Sequence, residues 1–225
     1  MPVSLAVLVQ CPLFADVPAV SLGTVAERMR LVPLRRREVL GGAAGFKGLG
    51  VVLSGSMQAV EEAADGREVV LASAEVNQPF GLAELLAEGV PPAVWMAGSS
   101  STAVGVLERA EALELFKRPD LAWPAARSLA RRVCDMQGMQ RVLSIHSVPA
   151  RLATWLHWQC GGCDGQLKLP THAELAWQLN TTRESVTRIL QRLSGDGLVA
   201  RQGDSWNIRN ADALLVWGQS VPRDE

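Results

Sequence analysis

Apolar and polar positions alternate along this 225-residue chain in three successive textures. From about Leu31 to Lys117, short apolar runs are punctuated by glycine, as in "EVLGGAAGFKGLGVVLSGSMQAVEEAADGREVVLASAEV". That texture predicts short strands, and Asp65-Gly66 between two strand-like runs predicts a hairpin. The segment "GGAAGFKGLG" lacks the Gly-Lys-Ser/Thr ending of a phosphate-binding loop, so its glycines are read as turns between strands. Beyond Arg118 the period lengthens. Leu121, Ala125, Leu129, Val133, Met136, Gln140 and Leu143 recur every three or four residues, the stripe of a long amphipathic helix. Pro124 fits its first turn, and Gly138 weakens its interior. The stripe serves either as a connector packed on its own domain or as a parallel dimer seam, the reading we favour. Pro149 then breaks the pattern, "ARLATWLHWQ" starts a further helix ended by Gly161-Gly162, and Ser147-Val148-Pro149 is a candidate hinge.

The third texture is "LPTHAELAWQLNTTRESVTRILQRLSGDGLVARQ", two short amphipathic runs a few polar residues apart. Thr171-His172-Ala173-Glu174 has the form of a capping box, which places a helix start there. That helix ends near Leu179-Asn180. Thr181-Thr182-Arg183-Glu184 is a second possible box, with the next helix running to about Leu193 and closed by Gly195. At about 100° per residue, Arg183, Thr187, Gln191, Glu184 and Arg188 share one side, and Val186, Ile189, Leu190 and Leu193 share another. A helix pinned by the second set offers the first set outward. Arginine can take O6 and N7 of guanine in a bidentate pair, and glutamate can accept from the cytosine amine. A solvated helix face with a Glu184–Arg188 ion pair would look similar in isolation. The preceding helix, and "GLVARQGDSWNI" read as two strands around a polar turn, instead make a helix-turn-helix with a wing.

Composition narrows the class. Apolar residues make up 48% and charged residues 20%, a globular mixture. The apolar start "MPVSLAVLVQCPLF" has no basic region before it, and no run is long enough to span a membrane, so a cytoplasmic protein is expected. A net charge of −1 argues against indiscriminate coating of nucleic acid. The residues up to Arg118 carry 10 basic and 13 acidic groups and the rest 12 and 10, which leans the C-terminal part toward anions. Cys11, Cys134, Cys160 and Cys163 are too few and too scattered for a disulfide framework.

The stretch "TTRESVTRILQRLSGDGLV" resembles the recognition helix and wing of the cyclic-AMP receptor protein and fumarate-nitrate regulator (CRP/FNR) superfamily of bacterial transcription factors, whose motif here is Arg-Glu-x-x-x-Arg. Upstream, "VVLSGSMQAVEEAADGREVVLASAEVNQPFG" resembles that family's β-roll and "SLARRV" its dimer helix. The resemblance implies an α+β fold: a cyclic-nucleotide-binding-like β-roll (jelly roll) sensor over residues 1–118, a dimerisation helix and hinge over 119–147, and a winged helix-turn-helix over 148–225. It implies a homodimer that binds double-stranded DNA and works with RNA polymerase. Arg183, Glu184 and Arg188 would read bases, with Thr182 and Thr187 beside them, in a palindromic operator with TGTGA-like half-sites. No enzymatic activity and no membrane partner are expected.

The sequence also departs from that family. Members that bind cyclic AMP hold its ribose with a Glu and its phosphate with an Arg-Ser pair. Here "FGLAELLAEGVPPAVWMAG" puts Leu82 at the first position and Pro92-Ala93 at the second. A buried phosphate diester without such donors would cost several kcal/mol, so cyclic AMP is not expected to bind in the usual way, and the effector is left unknown, whether an apolar ligand, haem or none. Only Cys11 lies near the N-terminus, so no iron-sulfur cluster is expected. "HWQCGGCD" carries a Cys-x-x-Cys, and His157, Cys160, Cys163 and His172 are a conceivable tetrahedral zinc set, with a dithiol switch or inert thiols as the other readings. A thiol- or metal-sensing regulator using Cys160 and Cys163 is the alternative function. His146 is a conceivable haem ligand or a packing residue. Ser99-Ser100-Ser101-Thr102 reads as a polar loop, and Trp155, Trp158 and Trp177 as packing residues.

Overall fold

The computed structural model describes residues 3–42, 45–62, 66, 68–87 and 93–221. It divides into two compact units, Met1–Arg132 and Val133–Glu225. The first unit opens with α1 (Leu5–Leu8), a 3₁₀ turn at Pro12–Phe14 and α2 (Ala19–Arg28). Strands β1 (Arg30–Arg35), β2 (Val39–Leu40), β3 (Gly48–Ser54), β4 (Met57–Glu62), β5 (Glu68–Ala74) and β6 (Pro79–Phe80) follow. After α3 (Leu82–Leu86) come β7 (Val94–Ala97), β8 (Ser101–Glu108), α4 (Arg109–Leu115) and α5 (Pro119–Leu143), whose last turns belong to the second unit. Two antiparallel sheets result, in strand orders β1-β8-β3-β6 and β2-β7-β4-β5.

Strand β3 explains how these sheets are covered. Its alternate residues Leu49 and Val51 join the apolar cluster formed with α1, α2, α4 and α5, while Val52 joins the cluster lined by both sheets. This is the period of two expected of a strand covered on both faces. Gly48 and Gly50 lie inside β3, so the expectation that the glycines of this segment all sit in turns is corrected. A Cβ on Gly50 would stand 2.0 Å from the Phe80 ring, and one on Gly48 2.8 Å from that of Phe46. Their missing side chains admit the aromatic group Phe46, Phe80 and Trp95, with ring centroids 5.6 and 4.7 Å apart. Gly41, Gly42 and Gly45 have φ of +81°, +66° and +74°, a conformation that favours glycine. The β4–β5 hairpin forms with Glu62 opposite Glu68. Gly66 has φ +77°, and Asp65 lies outside the described residues. Ser101 and Thr102 begin β8 rather than a loop, and the buried Thr102 hydroxyl lies 3.4 Å from the Ser56 carbonyl oxygen, to which it donates.

The long helix is present, but two expectations about it change. It begins at Pro119, so Pro124 is an interior residue rather than one in the first turn. Its ring removes the bond to the carbonyl of Asp120. The apolar stripe is also divided in use. Leu121 and Ala125 are buried in their own unit with Leu129 packed beside them, whereas Val133, Met136 and Leu143 are 53%, 70% and 41% exposed.

The second unit contains the end of α5, α6 (Val148–Gln159), β9 (Gly165–Leu167), α7 (His172–Gln178), α8 (Arg183–Gly195), β10 (Val199–Gln202), β11 (Ser205–Ile208) and α9 (Ala211–Ser220). A three-stranded antiparallel sheet runs β10-β11-β9. The core gathers Val142, Leu152, Trp155, Leu156, Leu175, Val186, Ile189, Leu190, Leu193 and Leu214, with Met139 and Trp158 against it. Gly138 earns its place in α5: a Cβ there would meet the Trp158 ring at 2.5 Å. Trp177, expected to pack, is instead exposed, because α7 turns Leu175, Ala176 and Leu179 inward.

Candidate nucleic-acid interface

The interface is built from local helix chemistry. Ser147 caps α6, so Pro149 sits in its first turn and the break from α5 falls at residues 144–147, just before the proline. Proline is tolerated there because its missing N–H would have no intrahelical partner. At α7 the capping box forms as expected: the Thr171 side chain accepts from the Glu174 N–H, and the Thr171 N–H donates to Glu174 Oε2 at 2.8 Å. The helix closes on Asn180, whose φ is +50°. The Thr181 N–H donates to the Ala176 carbonyl and that of Asn180 to Trp177. That bond pattern turns the chain sharply.

Helix α8 is capped by Thr182, whose hydroxyl accepts from the Ser185 N–H at 3.1 Å. The box expected from Thr181 to Glu184 does not form, because the cap lies one residue later and its N3 position is Ser185. The far end is closed by Gly197 rather than Gly195, which is still helical. Gly197 has φ +75°, its N–H donates to Ser194, and the Leu198 N–H donates to Leu193. Between these caps, Val186, Ile189, Leu190 and Leu193 are buried, 1% exposed or less. Thr182, Arg183, Glu184 and Arg188 are exposed and Thr187 is half-buried. The wing follows as β10 and β11, joined through Gly203 at φ +60° and Asp204.

Three features of this unit are not legible in the motif. Arg151 donates from Nε to the Ile145 carbonyl at 3.0 Å and from Nη1 to the Leu179 carbonyl at 2.5 Å and that of Asn180 at 3.3 Å. One guanidinium thus holds the α5–α6 linker and the turn between α7 and α8 together. His172 places Nδ1 2.8 Å from the Thr187 hydroxyl, which ties the start of α7 to the polar face of α8. Helix α9 is capped by Asn210, receives the Asp164 carboxylate at its Ala211 N–H, and anchors to the end of α8 through Trp217 Nε1 donating to Asp196 Oδ2 at 2.6 Å.

The cysteines remain apart from this site. Cys11 is fully buried, and burial pushes its thiol up to about 11, which keeps it protonated and unreactive at neutral pH. Cys160 donates weakly to the His157 carbonyl at 3.2 Å, and Cys163 is exposed. With His172 engaged by Thr187, the four residues considered for zinc do not converge. Among the described residues no three His, Cys, Asp or Glu side chains form a metal-sized group. His146 is exposed and its carbonyl faces Arg151. No helix among the described residues is long and apolar enough to cross a membrane.

The chain combines a two-sheet β-roll, a long helix and a winged helix-turn-helix whose second helix has an outward polar face. Residues 150–217 match the Crp-like helix-turn-helix domain. No curated protein matches the chain. Among solved structures, the c-di-GMP-responsive global regulator CLP of Xanthomonas campestris is 21% identical with a TM-score of 0.60, covering 85% of this chain and 99% of its own. FixK2 from Bradyrhizobium japonicum is 19% identical at 0.62, covering 86% and 99%. A CooA mutant from Carboxydothermus hydrogenoformans is 16% identical at 0.66, covering 87% and 90%. Residues 150–217 thus form a Crp-like helix-turn-helix domain, and the fold of the chain is that of these solved structures.

Proposed function

We propose that this protein is a CRP/FNR-type transcription regulator, a homodimer that reads a palindromic operator with TGTGA-like half-sites through Arg183, Glu184 and Arg188, flanked by Thr182 and Thr187. The observation that carries the reading is the division of α8 between a fully buried apolar side and an exposed row beginning at its first turn. Two such helices related by a twofold axis would meet major grooves about one helical turn apart. The exposed Val133, Met136 and Leu143 supply apolar surface for the twofold partner. RNA polymerase is the expected partner at the promoter.

The sensor unit is proposed to work without cyclic AMP held in the family's usual way. Leu82, where a ribose-binding Glu would stand, is 2% exposed and packed in the apolar cluster beside α2 and α4. Ala93 brings no charge, and Pro92 lies outside the described residues. Calorimetry is expected to give no micromolar binding of cyclic AMP or cyclic GMP.

A band-shift series with GTGA-containing palindromes and scrambled duplexes tests the main reading. The expected result is preference for the palindrome, and its loss in Arg188→Ala by a factor of about ten to a hundred, the scale of one bidentate guanine contact. Equal binding of both duplexes by the parent and the variant would refute it. Met136→Glu is expected to shift the mass in light scattering from dimer to monomer.

A further inference from the structure

We propose that His172 makes Thr187 a thymine reader: held by the imidazole, Thr187 presents its methyl group and no hydroxyl proton to the groove. The inference rests on the DNA-binding reading of α8 and goes beyond it to one base position.

The Thr187 hydroxyl has a single proton and two protein partners. Oγ1 lies 2.9 Å from the Arg183 carbonyl oxygen and 2.8 Å from His172 Nδ1. A hydroxyl can donate once and accept twice. When it donates to Arg183, the usual bond of a helical threonine to the preceding turn, the imidazole must carry its proton on Nδ1 and donate in turn. The reverse assignment would spend the proton on Nδ1 and leave two bare oxygens 2.9 Å apart. In both cases the proton is consumed inside the protein.

That consumption removes one kind of base contact, donation to a base acceptor. Guanine shows only acceptors, N7 and O6, in the major groove, so a side chain with no proton to give cannot pair with it. Thymine shows a methyl group, which an apolar carbon contacts favourably. Thr187 lies within the polar row, between Arg183 and Glu184 around the helix, among the residues proposed to read bases. His172 acts as a positioning residue, since it occupies the lone pair that faces α7 and holds the side chain in one rotamer.

Binding sites selected from randomised duplexes by the full-length protein, followed by replacement of each selected thymine with deoxyuridine, test this. One thymine is expected whose loss of the methyl weakens binding about fourfold, the scale of one buried methyl. Thr187→Val, which keeps a methyl in place of the hydroxyl, is expected to retain that sensitivity. Thr187→Ser, which keeps only the hydroxyl, is expected to lose it. His172→Ala is expected to reduce it in the parent and to leave the Thr187→Val background unchanged, a pattern that general destabilisation would not give. Selected sites indifferent to deoxyuridine, or a preference kept by Ser and lost by Val, would overturn the role of Thr187 alone. Failure of the parent to enrich any sequence would instead overturn the DNA-binding reading and this inference with it.

Discussion

The two units place their most characteristic side chains in opposite directions. In the first, Phe46, Phe80 and Trp95 fill the space between the sheets, over two glycines that would otherwise block them. In the second, the apolar residues of α8 are buried and its charged ones form an outward row. The contrast separates two ways of making a surface specific. An interior is shaped by neighbours brought from residues 46, 50, 80 and 95, so each side chain constrains the others. An exterior row is carried on one helix whose buried side is set separately, with Thr187 tied to His172 of α7.

The largest effect expected from this contrast is at Gly50. A methyl group there would overlap the Phe80 ring, and overpacking of this kind costs about 1–3 kcal/mol, or a fall of about 3–10 °C in the unfolding midpoint at this chain length. Gly50→Ala is expected to show that loss in thermal unfolding, and adding Phe80→Leu is expected to recover part of it. Additive losses in the double variant would break the link between the two residues. Arg188→Ala is expected to lower the midpoint less than Gly50→Ala does, since the Arg188 side chain is exposed and outside the core.

Next in size is Arg151, which belongs to neither pattern because its charge is turned against backbone. Arg151→Met leaves the carbonyls of Ile145 and Leu179 without their donor, a cost of about 1–3 kcal/mol. The expected outcome is a lower unfolding midpoint together with weaker DNA binding, with Arg151→Lys intermediate because one ammonium cannot span both segments. An unchanged midpoint would remove Arg151 from the account of how α8 is held.

Legibility in the sequence followed the same division. The capping box at Thr171 and Glu174, the two faces of α8 and the wing were all readable because their partners lie within four residues or in adjacent strands. The β4–β5 hairpin was readable for the same reason. Gly48 and Gly50 look like turn residues in the sequence because their purpose depends on Phe46 and Phe80, and the Phe80 ring comes from thirty residues downstream of Gly50. The stripe of α5 was found, but its periodicity could not tell that Leu121 and Ala125 face their own unit while Val133 and Met136 do not. His172 resembles a metal ligand in the sequence because Cys-x-x-Cys lies nearby, whereas its partner is Thr187, one helix further on. Arg151 gave no signal, since a backbone carbonyl that needs a donor looks like any other carbonyl.

The smallest expected effect concerns polar groups of the first unit, where charge faces inward to hold a helix start. Ser21 Oγ donates to Asp120 Oδ2, and Arg118 Nη2 donates to Ser21 Oγ at 2.7 Å and to Asp120 Oδ2 at 3.1 Å. The Ser21 hydroxyl, and after it Arg118, hold the Asp120 carboxyl below its ordinary value of 3.8, against a partial desolvation. A carboxyl with a lowered folded-state pKa binds fewer protons folded than unfolded. Its contribution is therefore fully present above pH 3.8 and is lost as pH falls through the folded value. Asp120→Asn is expected to lower stability slightly at neutral pH and to flatten the acid limb of a stability profile below pH 4, with Ser21→Ala doing so in part. The side chain is 28% exposed, so solvent screens much of the interaction and the change is expected to be smaller than that of Arg151→Met. A profile of Asp120→Asn parallel to that of the parent through the acid range would show that Asp120 does not carry this linkage, leaving the first unit's stability to its aromatic interior.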